Sequence, residues 1–366
     1  MKDMLTKNIS FAYNEALELI IAMGMVACEE QMEEVAKEYK FELDPLATDF
    51  HQEAREQLSP HALRELEFFF KYNFLHKALD FGFYLSICDC PKIQSAEEWI
   101  AELDQIPADK IMAGMVYGVY HDKMDELLQG RDWEYWKEVQ RDLPALIELV
   151  KATEPHPEVA GAFEPLLECL THPLEAKHRY MQVIRQFYQD AYKPWAKRIK
   201  DLSEASALHY GDSFKEEPET FIRETNKSEP ALYDLPTIFH ISFLSQVSNH
   251  LIYSNNGQHA WVIFGIHNDR VFGPDADREK VELFFKALSD KRRMDFVSLL
   301  RVQPRYGAEL AAELGITPAA VNYHANFLFF LDLLEMKRSD HRMYYHLKTE
   351  RLRELLALTS KVLLDE

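Results

Sequence analysis

Residues 308–328 run Ala308-Glu309-Leu310-Ala311-Ala312-Glu313-Leu314-Gly315-Ile316-Thr317-Pro318-Ala319-Ala320-Val321-Asn322-Tyr323-His324-Ala325-Asn326-Phe327-Leu328. Leu310 and Leu314, four residues apart, predict a short helix with one inward face. Gly315 follows where a left-handed residue ends a helix without Cβ strain. Ile316 reads as buried. Thr317 suits the N-cap of a second helix. Pro318 suits its first position, because the N–H that proline lacks would have no intrahelical partner there. Val321 and Leu328 then face the core, leaving Ala319, Ala320, Asn322, Tyr323 and Asn326 outside. Two helices joined by a tight turn, the second with a small and polar outer face, are the pattern of a helix-turn-helix whose second helix enters the major groove.

The chemistry of that outer face fits such a role. Asn322 can make the paired hydrogen bonds that read adenine. Tyr323 offers a flat face to a thymine methyl and a hydroxyl to a phosphate. The amides at the helix start, with Thr317, can hold a backbone phosphate. Downstream, Leu333–Lys337 and Arg342–Leu347 are strand-like runs around Arg338-Ser339-Asp340-His341, which predicts a β-hairpin wing. Lys337, Arg338, His341 and Arg342 gather at its tip, suited to a phosphate strand or the minor groove. A basic turn by itself reads as solvated; its place directly after a recognition helix favours the wing. In the tail, Leu352, Leu355, Leu356, Thr359, Val362 and Leu363 form a helical stripe longer than one small domain needs to cover. It predicts a two-fold dimer whose half-sites lie roughly 34–36 Å apart.

The rest of the chain sets the context. Its 366 residues have room for two cores, and 47% hydrophobic with 28% charged residues excludes disorder. No apolar run reaches a membrane-spanning length, and the start of the chain lacks a cleavable signal pattern, so a cytoplasmic location is expected. The four cysteines are too few for a disulfide scaffold and are expected reduced. Cys88 and Cys90 have no second pair at metal-ligand spacing. The net charge of −20 argues against a polyanion partner until its distribution is considered. Residues 276–366 balance at +1, residues 1–275 carry −21, and Lys291–Lys348 hold 9 basic against 6 acidic residues. The acid excess therefore sits away from the stretch that would meet phosphate.

Helical periodicity dominates the N-terminal part: Asn14–Ala27, His61–Ser86, Asp132–Ala152 and Glu175–Leu202, the last with a kink or restart expected at Pro194. Thr237–Leu244, Leu251-Ile252-Tyr253 and Ala260–Ile266 turn β-rich, and Asn255-Asn256-Gly257 signals a hairpin. The predicted fold is mainly α. A helical sensor or oligomerisation domain over 1–274 ends in a small β-hairpin element near 237–266. A winged helix-turn-helix follows over 277–366, with the boundary at Gly273-Pro274-Asp275. His240, His250, His259 and His267 lack a ligand-type spacing and are expected to be structural or surface residues. There is no G-x-S-x-G, glycine-rich phosphate loop or H-E-x-x-H, so no catalytic residue, cofactor or metal is expected.

Residues 284–347 resemble the winged-helix domain of ArsR-type regulators. The resemblance is carried by Ala287-Leu288-Ser289-Asp290 with Arg293, Ala311-Ala312-Glu313-Leu314-Gly315-Ile316-Thr317-Pro318, Val321-Asn322-Tyr323-His324 and Tyr344-Tyr345-His346-Leu347. It covers under a quarter of the chain. It implies a homodimer on a pseudo-palindromic double-stranded operator, usually a repressor released by an inducer. His324, expected with Asn322 and Tyr323 to face the DNA, matches the histidine of the family's recognition helix, and Arg293 matches the arginine after its helix start. The Cys-x-Cys of metal-sensing members is replaced by Tyr306-Gly307-Ala308-Glu309. His346 and Glu350 lack the paired spacing of the alternative site. A signal, such as an unidentified small molecule, would then enter through the N-terminal domain. Two other readings stay open: an enzyme domain fused to a winged helix, and a winged helix used as a protein-interaction platform.

Overall fold

The computed structural model describes residues 2–28, 43–71, 87, 90–120, 123–254, 257–269, 277–339 and 342–364. Of these residues about 70% are helical, and among them there are two small, open β-sheets. No helix among the described residues is long and apolar enough to cross a membrane. The chain divides into two units. One comprises Ile9–Gly211 and Leu235–Ile266; the other comprises Met1–Asn8, Asp212–Asp234 and His267–Glu366. The expected boundary at 273–275 lies outside the described residues.

The first unit is built on a four-stranded sheet of β1 (Ile9–Ala12), β2 (Thr237–Ser242), β3 (Asn249–Tyr253) and β4 (Ala260–Gly265), in the order β1-β2-β4-β3. The hairpin expected here is present: β3 and β4 pair antiparallel, Ile252 opposite Trp261. It is nevertheless part of a larger, mixed sheet. β2 runs parallel to β4, and β1, from the start of the chain, runs parallel to β2 with Ile9 opposite Thr237. Every residue of β4 is buried, as a central strand covered on both faces requires. Gly265 ends β4 where a Cβ would stand 2.3 Å from the Gln246 carbonyl oxygen, so only glycine admits that approach.

Helix α1 (Glu15–Ala27) leaves β1 through Asn14, whose side chain caps it by accepting the Leu17 N–H. Most of its buried residues are apolar, but Glu18 is fully buried and enters a polar site. Glu18 Oε2 lies 3.0 Å from His240 Nε2 on β2, and Glu18 Oε1 accepts the Leu244 N–H at 2.9 Å. His240 Nδ1 accepts the Asn14 N–H at 3.1 Å, which leaves Nε2 to donate to Glu18. This network ties β1, α1, β2 and the turn after β2 together. His240 is thus buried and bonded within this network and is not a surface residue.

The long amphipathic stretch forms α2 (Pro173–Gln186) and α3 (Lys193–Glu216), joined by a π-helical passage at Phe187–Tyr192. The widened turn stands immediately before Pro194, which has no N–H and whose ring crowds the carbonyl four residues back. The expected interruption is therefore a π-turn rather than a break. Of the stripe Ile184, Phe187, Tyr188, Ala191, Trp195, Ile199 and Leu202, the first six are buried and Leu202 is half-buried. Asp132–Ala152 departs from its reading as one helical run. It is two helices, Trp133–Val139 and Leu143–Ala152, because Asp132 and Asp142 each cap a new start. Of His61–Ser86, Pro60–Phe70 is helical and 72–86 lie outside the described residues.

In the second unit, α4 (Asp277–Ser289), α5 (Lys291–Val302), α6 (Gly307–Leu314), α7 (Pro318–Phe330) and α8 (Thr349–Leu364) surround a three-stranded antiparallel sheet. Its strands are β5 (Arg305–Tyr306), β6 (Leu334–Ser339) and β7 (Arg342–Leu347), with β7 central. Phe284, Phe296, Leu310, Val321, Leu328, Leu333, Tyr345 and Leu355 meet in one core. Segment 212–234 belongs to this unit and packs an ionic cluster at the foot of the β6–β7 hairpin. Lys348 Nζ stands 2.6 Å from Asp332 Oδ1 and 3.0 Å from Glu229 Oε1, and Glu229 also receives Arg223. Burial would lower the Lys348 pKa, but Asp332 and Glu229 hold it above the ordinary value.

Candidate nucleic-acid interface

Helix α6 ends at Gly315, whose φ of +61° places it in the left-handed region, and the Ile316 N–H returns to the Ala311 carbonyl. Ile316 is only half-buried, packed against the core from outside it. Thr317 caps α7 by accepting the Ala320 N–H at 3.2 Å, and Pro318 occupies the first turn. Val321 and Leu328 are fully buried. Tyr323 is 53% exposed and Asn326 is also exposed. Thr317, Pro318 and Ala320 are half-exposed at the leading end; the Ala319 side chain lies outside the description. The helix thus presents the outer face read from its sequence, with two exceptions.

The first is Asn322. It is half-buried, and its Oδ1 accepts the Tyr345 hydroxyl of β7 at 2.8 Å. The second is His324, only 5% exposed, which turns inward instead of outward. Its Nδ1 lies 3.9 Å from Asp290 Oδ1, at the cap of α5, too far for a hydrogen bond. Beside it, Arg293 stacks on the Phe327 ring at 4.0 Å and donates to the Lys286 carbonyl. Asp290, Arg293, His324 and Phe327 therefore clamp the start of α5 to α7. The two residues singled out by the family resemblance meet here, inside the unit.

Electrostatics in the clamp follow from its burial. Desolvation lowers the His324 pKa, and Arg293 and Arg292 add to this against the opposing Asp290. Burial alone would raise Asp290, yet the Arg293 N–H and guanidinium hold it below the ordinary carboxylate value. A histidine whose folded pKa is depressed binds fewer protons than it does unfolded. Its contribution to stability is present above about pH 6.5 and falls as pH drops from there through the folded value. An NMR titration of His324 is expected to give a midpoint below about 6.5; a midpoint above it would show that Asp290 prevails.

The hairpin follows directly. β6 and β7 pair from Leu334 opposite Leu347 to Ser339 opposite Arg342, so the backbones of Arg338 and Arg342 stand at its outer end. His341 lies outside the described residues, as do the side chains of Arg338 and Arg342. Lys337 is exposed and paired with Glu335 on the same strand. Its charge is partly engaged before any ligand arrives. Arg305 on β5 pairs with Glu313 of α6.

The tail stripe divides between two duties. Leu355 is 1% exposed and Leu352 packs against the same core, so both serve their own unit. Thr359 is half-buried, donating to the Leu355 carbonyl, and Val362 is also half-buried. Leu356 at 53% and Leu363 at 62% remain exposed, with Leu364 and with Phe285 of α4. The helix pair and the hairpin are legible in the sequence, but Tyr345 as the partner of Asn322 is not, nor is the Asp332–Lys348–Glu229 cluster. A phenol one strand removed leaves no local signature. Asp332 carries a φ of +59° in the turn after α7, where a glycine would be the usual sign. Among the described residues no group of three or more His, Cys, Asp or Glu could hold a metal ion. Comparison with protein-family models, with curated proteins and with solved structures finds no match to this chain.

Proposed function

We propose that residues 277–364 act as a winged helix-turn-helix of ArsR type, binding double-stranded DNA in a sequence-specific manner. The observation that carries this reading is the succession of a glycine-ended helix, a Thr317-capped helix with Tyr323 and Asn326 on its outer face, and a hairpin whose outer end holds the backbones of Arg338 and Arg342. Helix α7 would lie in the major groove. Its first-turn amides and Thr317 would hold a phosphate, and the hairpin would follow the backbone. Affinity for phosphate and discrimination between bases would come from different atoms.

The exposed apolar residues Phe285, Leu356, Leu363 and Leu364 support pairing of two copies through α4 and α8, and with it a pseudo-palindromic operator. Regulation, most simply repression, would respond to a signal received by the unit containing the four-stranded sheet. A cytoplasmic location goes with this reading. The test is a titration of the full chain against duplex DNA across a salt series. Affinity should fall steeply and linearly in log–log form, by about 0.9 in slope per phosphate contacted. An affinity independent of salt would contradict the reading.

A further inference from the structure

Helix α7 advances about 100° per residue, so Asn322 and His324 project to opposite sides of Tyr323. Both sides are occupied. Asn322 meets the Tyr345 hydroxyl of the hairpin at 2.8 Å, and His324 stands 3.9 Å from Asp290, the cap of α5. The exposed face centred on Tyr323 is therefore bordered by the β6–β7 hairpin on one side and by the start of α5 on the other. The hairpin border holds the backbones of Arg338 and Arg342 at its outer end.

The α5 border opens with Lys291, Arg292 and Arg293, three cations in the first turn of a helix that has no acidic residue there. The N-terminal end of a helix dipole is positive and disfavours cations, so this order works against α5 itself. Arg293 has an internal use, since it is 8% exposed and stacks on Phe327. Its Nε and Nη1 still lack a hydrogen-bond partner among the described residues. Lys291 and Arg292 have no internal use. Both are exposed, and among the described residues neither forms an ion pair or a side-chain hydrogen bond. Lys337, Arg305 and Lys348 of the same unit are each paired with a carboxylate. Exposed Asp295, one turn further along α5, pairs with neither Lys291 nor Arg292. Arg292 is near enough to α7 for its charge to help lower the His324 pKa. Local choices that destabilise an element and meet no partner within the fold belong to functional surfaces.

The major groove is about 12 Å wide, and a helix with its side chains is about 10–12 Å across, so a helix lying in it has a phosphate strand on each flank. With α7 in the groove, the hairpin meets one strand and the start of α5 faces the other. We propose that Lys291 and Arg292 form a second phosphate-binding edge, which holds the DNA strand on the side of α7 opposite the hairpin. This inference rests on the DNA-binding reading above and assigns the second flank of the same site.

The experiment titrates the full chain against a mixed-sequence duplex across a salt series. It compares the unaltered protein with an alanine pair, Lys291→Ala with Arg292→Ala, and a charge-keeping pair, Lys291→Arg with Arg292→Lys. Each lost phosphate contact removes about 0.9 from the slope of log affinity against log salt. The alanine pair should therefore flatten the slope by about 1.8 and weaken binding about 30-fold at about 0.15 M salt relative to a 1 M reference. The charge-keeping pair should bind as the unaltered chain does. The thermal midpoint of the alanine pair should stay level or rise slightly, because two cations leave the positive end of a helix. Added to alanine at Lys337, Arg338 and Arg342, the slope losses should sum, since opposite strands are contacted. An unchanged slope in the alanine pair overturns the inference. So does a weakening equal at every salt concentration, or a loss shared by the charge-keeping pair, either of which marks a structural role. If the unaltered chain itself binds without salt dependence, the DNA-binding reading fails, and that control tells the two failures apart.

Discussion

Alanine at Lys337, Arg338 and Arg342 together is expected to lower DNA affinity by about two orders of magnitude at about 0.15 M salt. Each phosphate contact contributes about −0.9 to the slope of log affinity against log salt, so losing three flattens the slope by about 2.7 and costs about 150-fold relative to a 1 M reference. Their backbones occupy the outer end of the β6–β7 hairpin, away from the core, so the fold should be unaffected. Lys337 should contribute least of the three, since its ammonium must first leave Glu335. Base preference should stay as it is in the unaltered chain, because phosphate contacts carry no sequence information. A triple variant that binds with unchanged slope would remove the hairpin from the interface. One that changes base preference would assign it a reading role instead.

Glu18→Ala is expected to be the most damaging single truncation in the sheet unit. It takes the acceptor from two fully buried donors, the His240 Nε2–H and the Leu244 N–H, at about 1–3 kcal/mol each. A total of about 4 kcal/mol, at about 2–4 °C per kcal/mol for a unit of this size, lowers its thermal midpoint by about 10 °C. Glu18→Gln keeps one acceptor oxygen and should lose less. The midpoint is read by calorimetry or by circular dichroism on the full chain. A shift of only a degree or two would mean that water or a neighbouring carbonyl takes over both donors, and that the network does not hold β1, α1 and β2 together.

How much of the fold and the site is legible in the sequence depends on the range of the interaction. Caps, turns and stripes are local, so Asn14, Thr317, Gly315 and the run from Ile184 to Ile199 declare their places through their immediate neighbours alone. The strand Ile9–Ala12 escapes such a reading because four residues are too few to show an alternation, and its parallel partner is Thr237–His240, more than two hundred residues away. The larger sheet is hidden for the same reason, although its β3–β4 hairpin is visible. Helical periodicity assigns faces well where the side chain is apolar. It does less well for Asn322 and His324, because a polar residue on a helix can turn to a buried partner, and no periodicity reports whether Tyr345 or Asp290 is waiting there. The tail stripe similarly marks its apolar positions but does not divide Leu355, spent on its own core, from Leu356, left exposed.

DNA recognition by α7 and the hairpin is tested most directly by incubating the full chain with random or genomic duplex fragments and sequencing those that are retained. A dimeric winged-helix reader predicts enrichment of a pseudo-palindromic motif with half-site centres about one helical turn, roughly 10–10.5 base pairs, apart. It also predicts loss of preference at one position per half-site when the exposed Tyr323 is replaced by alanine. Retention of fragments with no enriched motif, or no retention at moderate salt, would contradict it.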